Sequence, residues 1–245
     1  MVKFDVNLST GRWPFRPLPG ETMPELAAHL RRYGIEGGLL RAAEGAFSSD
    51  PESENGLLLK RCGSYPGFIP LLIAHPFYKY WRKWEQVPAA VLYPGFHRYS
   101  PESSEALDMA HFLAEKGTHT VVIAVREEDE RAQNPLCRIP PVPVDSLNAF
   151  ASAVPEMTVI ALNCYHSEAK ALTASNLYCD TAFIEGFPAL APVEEMVQKG
   201  KVLFGSHAPF FCVSAALSKI TALDEKGKAA MQHSDKWIFD KFHSR

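Results

Sequence analysis

Residues 157–206 read MTVIALNCYHSEAKALTASNLYCDTAFIEGFPALAPVEEMVQKGKVLFGS. Three short apolar runs, 157–162, 176–181 and 201–206, are rich in β-branched and aromatic residues and are short enough to be strands. Between them, 167–175 and 187–200 carry helical spacing; the second has Pro188 near its start and Gly200 at its end, the usual asymmetry of a helix. Strand, helix, strand, helix, strand is the pattern of a parallel sheet covered by its crossovers.

The same alternation extends upstream. FDVNL (4–8), EGGLLRA (36–42), FIPLLIA (68–74), AAVLY (89–93) and TVVIAV (120–125) bring the candidate strands to eight. Residues 23–34, 51–63, 101–117, 143–155 and 208–220 read as helices, and HPFYKYWRKWEQ (75–86) fits a helix less well. Runs such as VVIAV and FIPLLIA are continuously apolar, as strands buried on both faces should be. Eight β/α units in 245 residues predict an α/β protein with a single (β/α)₈ TIM barrel spanning residues 1–245. The Pro-rich stretch 134–145 reads as a long loop after the fifth strand. The tail from Asp224 predicts one or two closing helices whose Trp237, Phe239 and Phe242 cover the barrel or a second copy, which leaves a homo-oligomer open.

The composition is that of an ordinary globular protein, 47% hydrophobic and 22% charged, with 25 Lys and Arg against 28 Asp and Glu. A net charge of -3 gives no field favouring nucleic acid. No apolar run approaches the length of a membrane span, and Asp5 and Asn7 interrupt the N-terminal segment before a secretory core can form, so a cytoplasmic location is expected. The five cysteines are odd in number and form no C-x-x-C pair, which predicts reduced thiols. No glycine-rich phosphate loop is present. The aromatic and basic run 77–84 suits a surface helix or subunit contact better than base stacking.

In such a barrel the chemistry sits at the C-terminal strand ends. Strict alternation along the first strand places Asp5, Asn7 and Ser9 on one face and Val6 and Leu8 on the other. The matching positions elsewhere are His75, Arg126, Asn163, Asp180, Thr181, Ser206 and His207. Each of these also suits a plain structural task, such as capping the next helix. The mixed run REEDERAQNP (126–135) reads as a solvated loop for Glu127, Glu128 and Glu130, with Arg126 nearest the strand end.

FDVNLSTGRWPF (4–15), FIPLLIAHPF (68–77), VVIAVREEDERAQNP (121–135), NLYCDTAFIEG (176–186), KVLFGSHAPF (201–210) and the tail KAAMQHSDKWIF (228–239) together resemble the amidohydrolase-related TIM-barrel family, in order along the whole chain. The resemblance implies a metal-dependent hydrolase with Asp-x-His-x-His on the first strand and Phe-Gly-Ser-Asp-x-Pro after the eighth. Here the two histidines fall on Asn7 and Ser9, the aspartate falls on His207, and the strand-end histidines fall near Val125 or Arg126 and near Asn163. Catalytic zinc needs three protein ligands. His207, with His75 or His166, is what remains, so no metal site of the usual kind is expected, although a weak zinc-type site built on His207 and loop carboxylates stays open.

Two readings follow. In the first, the chain is an amidohydrolase-like hydrolase or related lyase acting on a small carboxylate-bearing or cyclic compound. His207 is then the general base, Asp180 fixes its tautomer, Arg126 holds a carboxylate, and Asn7, Ser9, His75 and Asn163 orient the substrate. In the second, the barrel has lost turnover and serves as a ligand-binding or interaction protein.

Overall fold

The computed structural model describes residues 3–185 and 191–243. The first residues of the helix expected over 187–200, residues 187–190, fall outside them. The strands are β1 (Phe4–Thr10), β2 (Gly37–Ala42), β3 (Phe68–Pro70), β4 (Leu72–Ile73), β5 (Ala89–Leu92), β6 (Thr120–Ala124), β7 (Thr158–Leu162), β8 (Leu177–Asp180) and β9 (Val202–Leu203). All pair in parallel, in two runs, β1-β2-β3 and β4 through β9.

β3 and β4 are two halves of the expected third strand, interrupted at Leu71, whose N–H still reaches Leu40 O at 2.8 Å. Across the break, the Asn55 side chain acts as a short piece of neighbouring strand, accepting from Ile73 N at 2.7 Å and donating to Ile73 O at 3.0 Å. The ring closes where Val6 N and Ser9 N bond to Phe204 O and Ala208 O, both at 2.9 Å, and Leu8 bridges Ala208. The expected (β/α)₈ barrel is therefore present. Its tightest crossing is at the Gly37-Gly38 pair, where a Cβ on Gly37 would lie 1.9 Å from Gly67 O and one on Gly38 2.1 Å from Asp5 O.

Around the strands run α1 (Met23–Arg31), α2 (Pro51–Cys62), α3 (Pro94–His97), α4 (Ser104–Glu115), α5 (Val144–Ala153), α6 (His166–Lys170), α7 (Ala191–Gln198), α8 (Val213–Thr221) and α9 (Glu225–His243). Thr22 and Glu25 form a capping box on α1, and the Asp50 side chain accepts from Ser53 N at the start of α2. Residues 75–86 form only a short 3₁₀ turn at Lys79–Lys83. Residues 208–212, expected to open a helix, instead cross the barrel mouth before α8 begins.

One apolar cluster fills the barrel interior with Val6, Leu39, Ile73, Val91, Val122, Ile160 and Leu203; a second lies between sheet and helices. α9 closes the bottom. Phe4 packs edge-on to Phe239 at 5.9 Å and stacks on Phe242 at 6.1 Å, Tyr178 meets Trp237 at 5.0 Å, and the Asp235 carboxylate accepts from Lys3 N and Phe4 N. Among the described residues no helix is long and apolar enough to cross a membrane.

Candidate functional site at the barrel mouth

β1 does not alternate as expected. Its register shifts between Asp5 and Leu8, so Val6 joins Phe4 in the interior cluster and Leu8 packs outside. The Asp5 carboxylate takes Asn7 N at 2.9 Å and Ser206 N at 3.1 Å, stapling β1 to the last strand end. Burial first of all pushes its pKa up to about 7, against the opposing hydrogen bonds from Ser206 and Asn7.

The strand ends converge on Asn7. Its Nδ2 donates to Asn163 Oδ1 at 2.7 Å and to Asp180 Oδ2 at 2.6 Å, and its Oδ1 accepts from Arg41 Nη1 at 2.7 Å. Asp180 also accepts from Asn163 N, and burial raises its pKa. Gly205 makes room for this packing: a Cβ there would lie 2.5 Å from Asp180 Oδ2 and 2.9 Å from Asn7 Cβ. Asn163 and His207 both take left-handed backbone angles, φ 64° and 56°, as their side chains turn back toward the axis.

Two residues of this network escaped the sequence reading. Arg41, inside the apolar run of β2, is fully buried, and Glu127, read as solvated, is 3% exposed. They form a two-pronged pair, Arg41 Nε to Glu127 Oε1 at 3.2 Å and Nη2 to Oε2 at 2.9 Å. The signal for Arg41 was a charged residue in a continuously apolar strand; Glu127 was hidden by its acidic neighbours. Glu128 and Glu130 do lie nearer the surface, paired with Arg16 and Arg126.

His207 is fully buried, with its Nε2–H donating to Glu127 O at 2.8 Å. Its Nδ1 therefore carries a lone pair, facing Arg41 Nη2 at 3.3 Å and lying 3.2 Å from Asn7 Oδ1. Burial, then the Arg41 charge, hold its pKa well below the ordinary value. Asp180 has no hydrogen bond to it among the described residues; the carbonyl of Glu127, not Asp180, sets the tautomer. The Phe210 ring stacks on the imidazole at 4.6 Å and seals it from outside.

The other expected residues behave differently. Arg126 is buried, and its Nη1 and Nη2 hold Glu168 at 2.7 and 2.5 Å while Nη1 also donates to Asn163 O at 2.6 Å, so the carboxylate it grips is the protein's own. Glu168 at the same time accepts from Tyr165 N to start α6. Ser9 is fully buried in the mouth, its Oγ without a hydrogen-bond partner among the described residues. His75 stands apart, its ring against Tyr78 at 4.3 Å and His97 at 4.8 Å, its Nδ1 accepting from Phe77 N. The structure thus joins Asn7, Asn163, Asp180 and His207 in one network, and leaves His75 outside it.

The donors do not suit a divalent metal. Of the positions where the family resemblance implies ligands, Asn7 and His207 face the Arg41 guanidinium, Asn163 is bonded to Asn7 and Arg126, and Ser9 offers only a hydroxyl. Among the described residues no three His, Cys, Asp or Glu side chains gather as a metal site.

No family model matches the sequence, and no curated protein matches it. Solved structures do match in shape. A 5-carboxyvanillate decarboxylase from Sphingomonas paucimobilis superposes with a TM-score of 0.69 at 11% identity, covering 97% of this chain and 98% of that one. This is the fold of the amidohydrolase-related barrels. A probable 2-pyrone-4,6-dicarboxylic acid hydrolase from Acinetobacter baumannii, with citric acid bound, gives 0.60 at 12% identity over 98% and 99%. A dihydroxybenzoic acid decarboxylase from Polaromonas sp. JS666, with manganese and 2-nitroresorcinol bound, gives 0.64 at 12% over 100% and 98%. In this chain the strand ends of the amidohydrolase-related fold enclose the buried Arg41–Glu127 pair.

Proposed function

We propose that this chain is an amidohydrolase-related barrel that binds a small carboxylate-bearing or cyclic compound without metal-dependent turnover, its strand ends serving as a fixed polar floor. The observation that carries the reading is Arg41, whose guanidinium binds Asn7 Oδ1, faces His207 Nδ1 and is neutralised by Glu127. A metal ion brought into that spot would have to displace Arg41 from the lone pairs of Asn7 Oδ1 and His207 Nδ1 and break up a buried ion pair, which is costly. The ligand class is carried over from the fold neighbours, a carboxyvanillate decarboxylase and a pyrone-dicarboxylic acid hydrolase, both named for carboxylated ring compounds. The five unpaired cysteines support a reducing, cytoplasmic working place.

The test is the metal content of untagged protein, before and after incubation with excess zinc and manganese and desalting. Substoichiometric metal in both samples is the expected result. Near-stoichiometric metal would overturn the reading and make His207 the anchor of a rearranged hydrolytic site.

A second reading, a metal-free hydrolase or lyase using His207 as base, is favoured by one observation: burial keeps His207 neutral, with a lone pair on Nδ1, which could take a proton once the Arg41 contact opens and Phe210 moves aside. Steady turnover of a carboxylated ring compound by metal-free protein, lost in His207→Gln, would establish this second reading in place of the first.

A further inference from the structure

The sealed mouth has an open flank. A cleft of about 610 Å³ lies between α1 with its preceding loop and the segment that crosses the mouth after the last strand. A smaller one, about 360 Å³, lies over Glu127, Glu128 and Asp129. Arg16, Phe210 and Phe211 line both.

Arg16 is poorly committed to the protein. Its side chain keeps 44% of its exposure, and its two contacts, Nε to Glu128 Oε1 at 3.4 Å and Nη2 to Phe210 O at 3.5 Å, lie at the long limit of hydrogen bonding. Nη1 donates to nothing among the described residues. The guanidinium lies over the Phe210 ring, 5.6 Å from its centroid, and that same ring stacks on His207. Arg32 adds a second exposed cation across the larger cleft. Among the described residues that line that cleft the one acid is Glu25, which caps α1 through Thr22 N and Oγ1 and has no ion-pair partner. The cleft therefore offers a planar, half-exposed cation, only loosely held by Glu128, beside aromatic faces.

We propose that this cleft binds a small aromatic monocarboxylate, its carboxylate on Arg16 and its ring against Phe210 and Phe211. The guanidinium fork matches a planar carboxylate in two-pronged fashion. A phosphate, with greater negative charge, would be opposed by Glu128, which sits beside Arg16. The site is set outside the strand-end residues, and the proposal rests on the reading of the chain as a ligand-binding barrel.

The experiment titrates benzoate, benzyl alcohol and phenyl phosphate into the full metal-free chain by calorimetry, with Arg16→Gln and Arg32→Gln alongside. Benzoate is expected to bind saturably at one site, and more tightly than either of the other two. Arg16→Gln should weaken benzoate by about tenfold or more, the loss of one charge-assisted contact, with thermal midpoint and circular dichroism unchanged because Arg16 is half exposed. Arg32→Gln should weaken it less. Absence of saturable benzoate binding, equal binding of benzyl alcohol, tighter binding of phenyl phosphate, or an Arg16→Gln protein that binds as well as the parent would each overturn the proposal. Its failure is distinguishable from failure of the function itself: benzoate binding that appears only with added manganese refutes the metal-free reading, whereas metal-free binding indifferent to Arg16 refutes this cleft alone.

Discussion

Arg41 lies at the centre of the mouth because a buried guanidinium needs every donor answered, and Asn7 Oδ1, Leu8 O and the Glu127 carboxylate answer them. Removing one member of such a pair strands the other charge away from water, which costs about 3–5 kcal/mol. Arg41→Met and Glu127→Gln should each lose stability of that order in urea unfolding, while the double variant should fall well short of the sum. Additive losses would mean that the two side chains do not depend on each other. The residue scale is also where the sequence was least legible. Asn7, Asn163, Asp180 and His207 were found because strand-end polarity points at them, but their partners are set by side chains that cross the barrel. Arg126 and Glu168 are 42 positions apart, Arg41 and Glu127 86. Glu127 was misread because mixed charge in a run usually is solvated, and nothing local distinguishes the one acid that turns inward.

Elements were far more legible, since alternation of apolar runs with capped helices is a local property. The shortfalls are where tertiary contacts override local pattern. The bulge in β1 moved Val6 inward, because Asp5 bonds to Asn7 N and Ser206 N instead of keeping a regular register. The third strand broke at Leu71, and Asn55 from α2 supplies the missing main-chain partners. α9 was foreseen as a closing helix, and its attachment can be tested. Asp235 receives Lys3 N at 3.0 Å and Phe4 N at 2.9 Å, two main-chain donors at the start of β1. Asp235→Ala should cost about 1–3 kcal/mol and speed hydrogen exchange at the Phe4 amide. Unchanged exchange there would show that the aromatic contacts of Phe239 and Phe242 alone hold the helix in place.

At the scale of the whole molecule the buried charges make an unusual pH response. His207 is held well below its ordinary pKa by burial and then Arg41, and His97 is brought to about 4 by burial and then His75. The unfolded chain takes up these protons near pH 6.5 and the folded chain does not, so both histidines remove stability as pH falls below about 6.5. Asp5 is raised to about 7, and Asp180 is raised, each mainly by burial. Here the folded chain holds the proton that the unfolded chain has released, so both aspartates add stability as pH falls toward about 4, Asp5 from about 7 downward. The slopes from His97 and Asp5 oppose each other between about pH 4 and 6.5, so each partly masks the other in the parent protein. Removing one term from either side should tilt the curve. Relative to the parent, Asp5→Asn should lose stability as pH falls through this range and His207→Gln should gain it. Urea unfolding at several pH values measures both. Parallel curves for parent and variants would show that neither group changes its proton affinity on folding, and that the mouth is wetter than the buried Asn7–Arg41–His207 network requires.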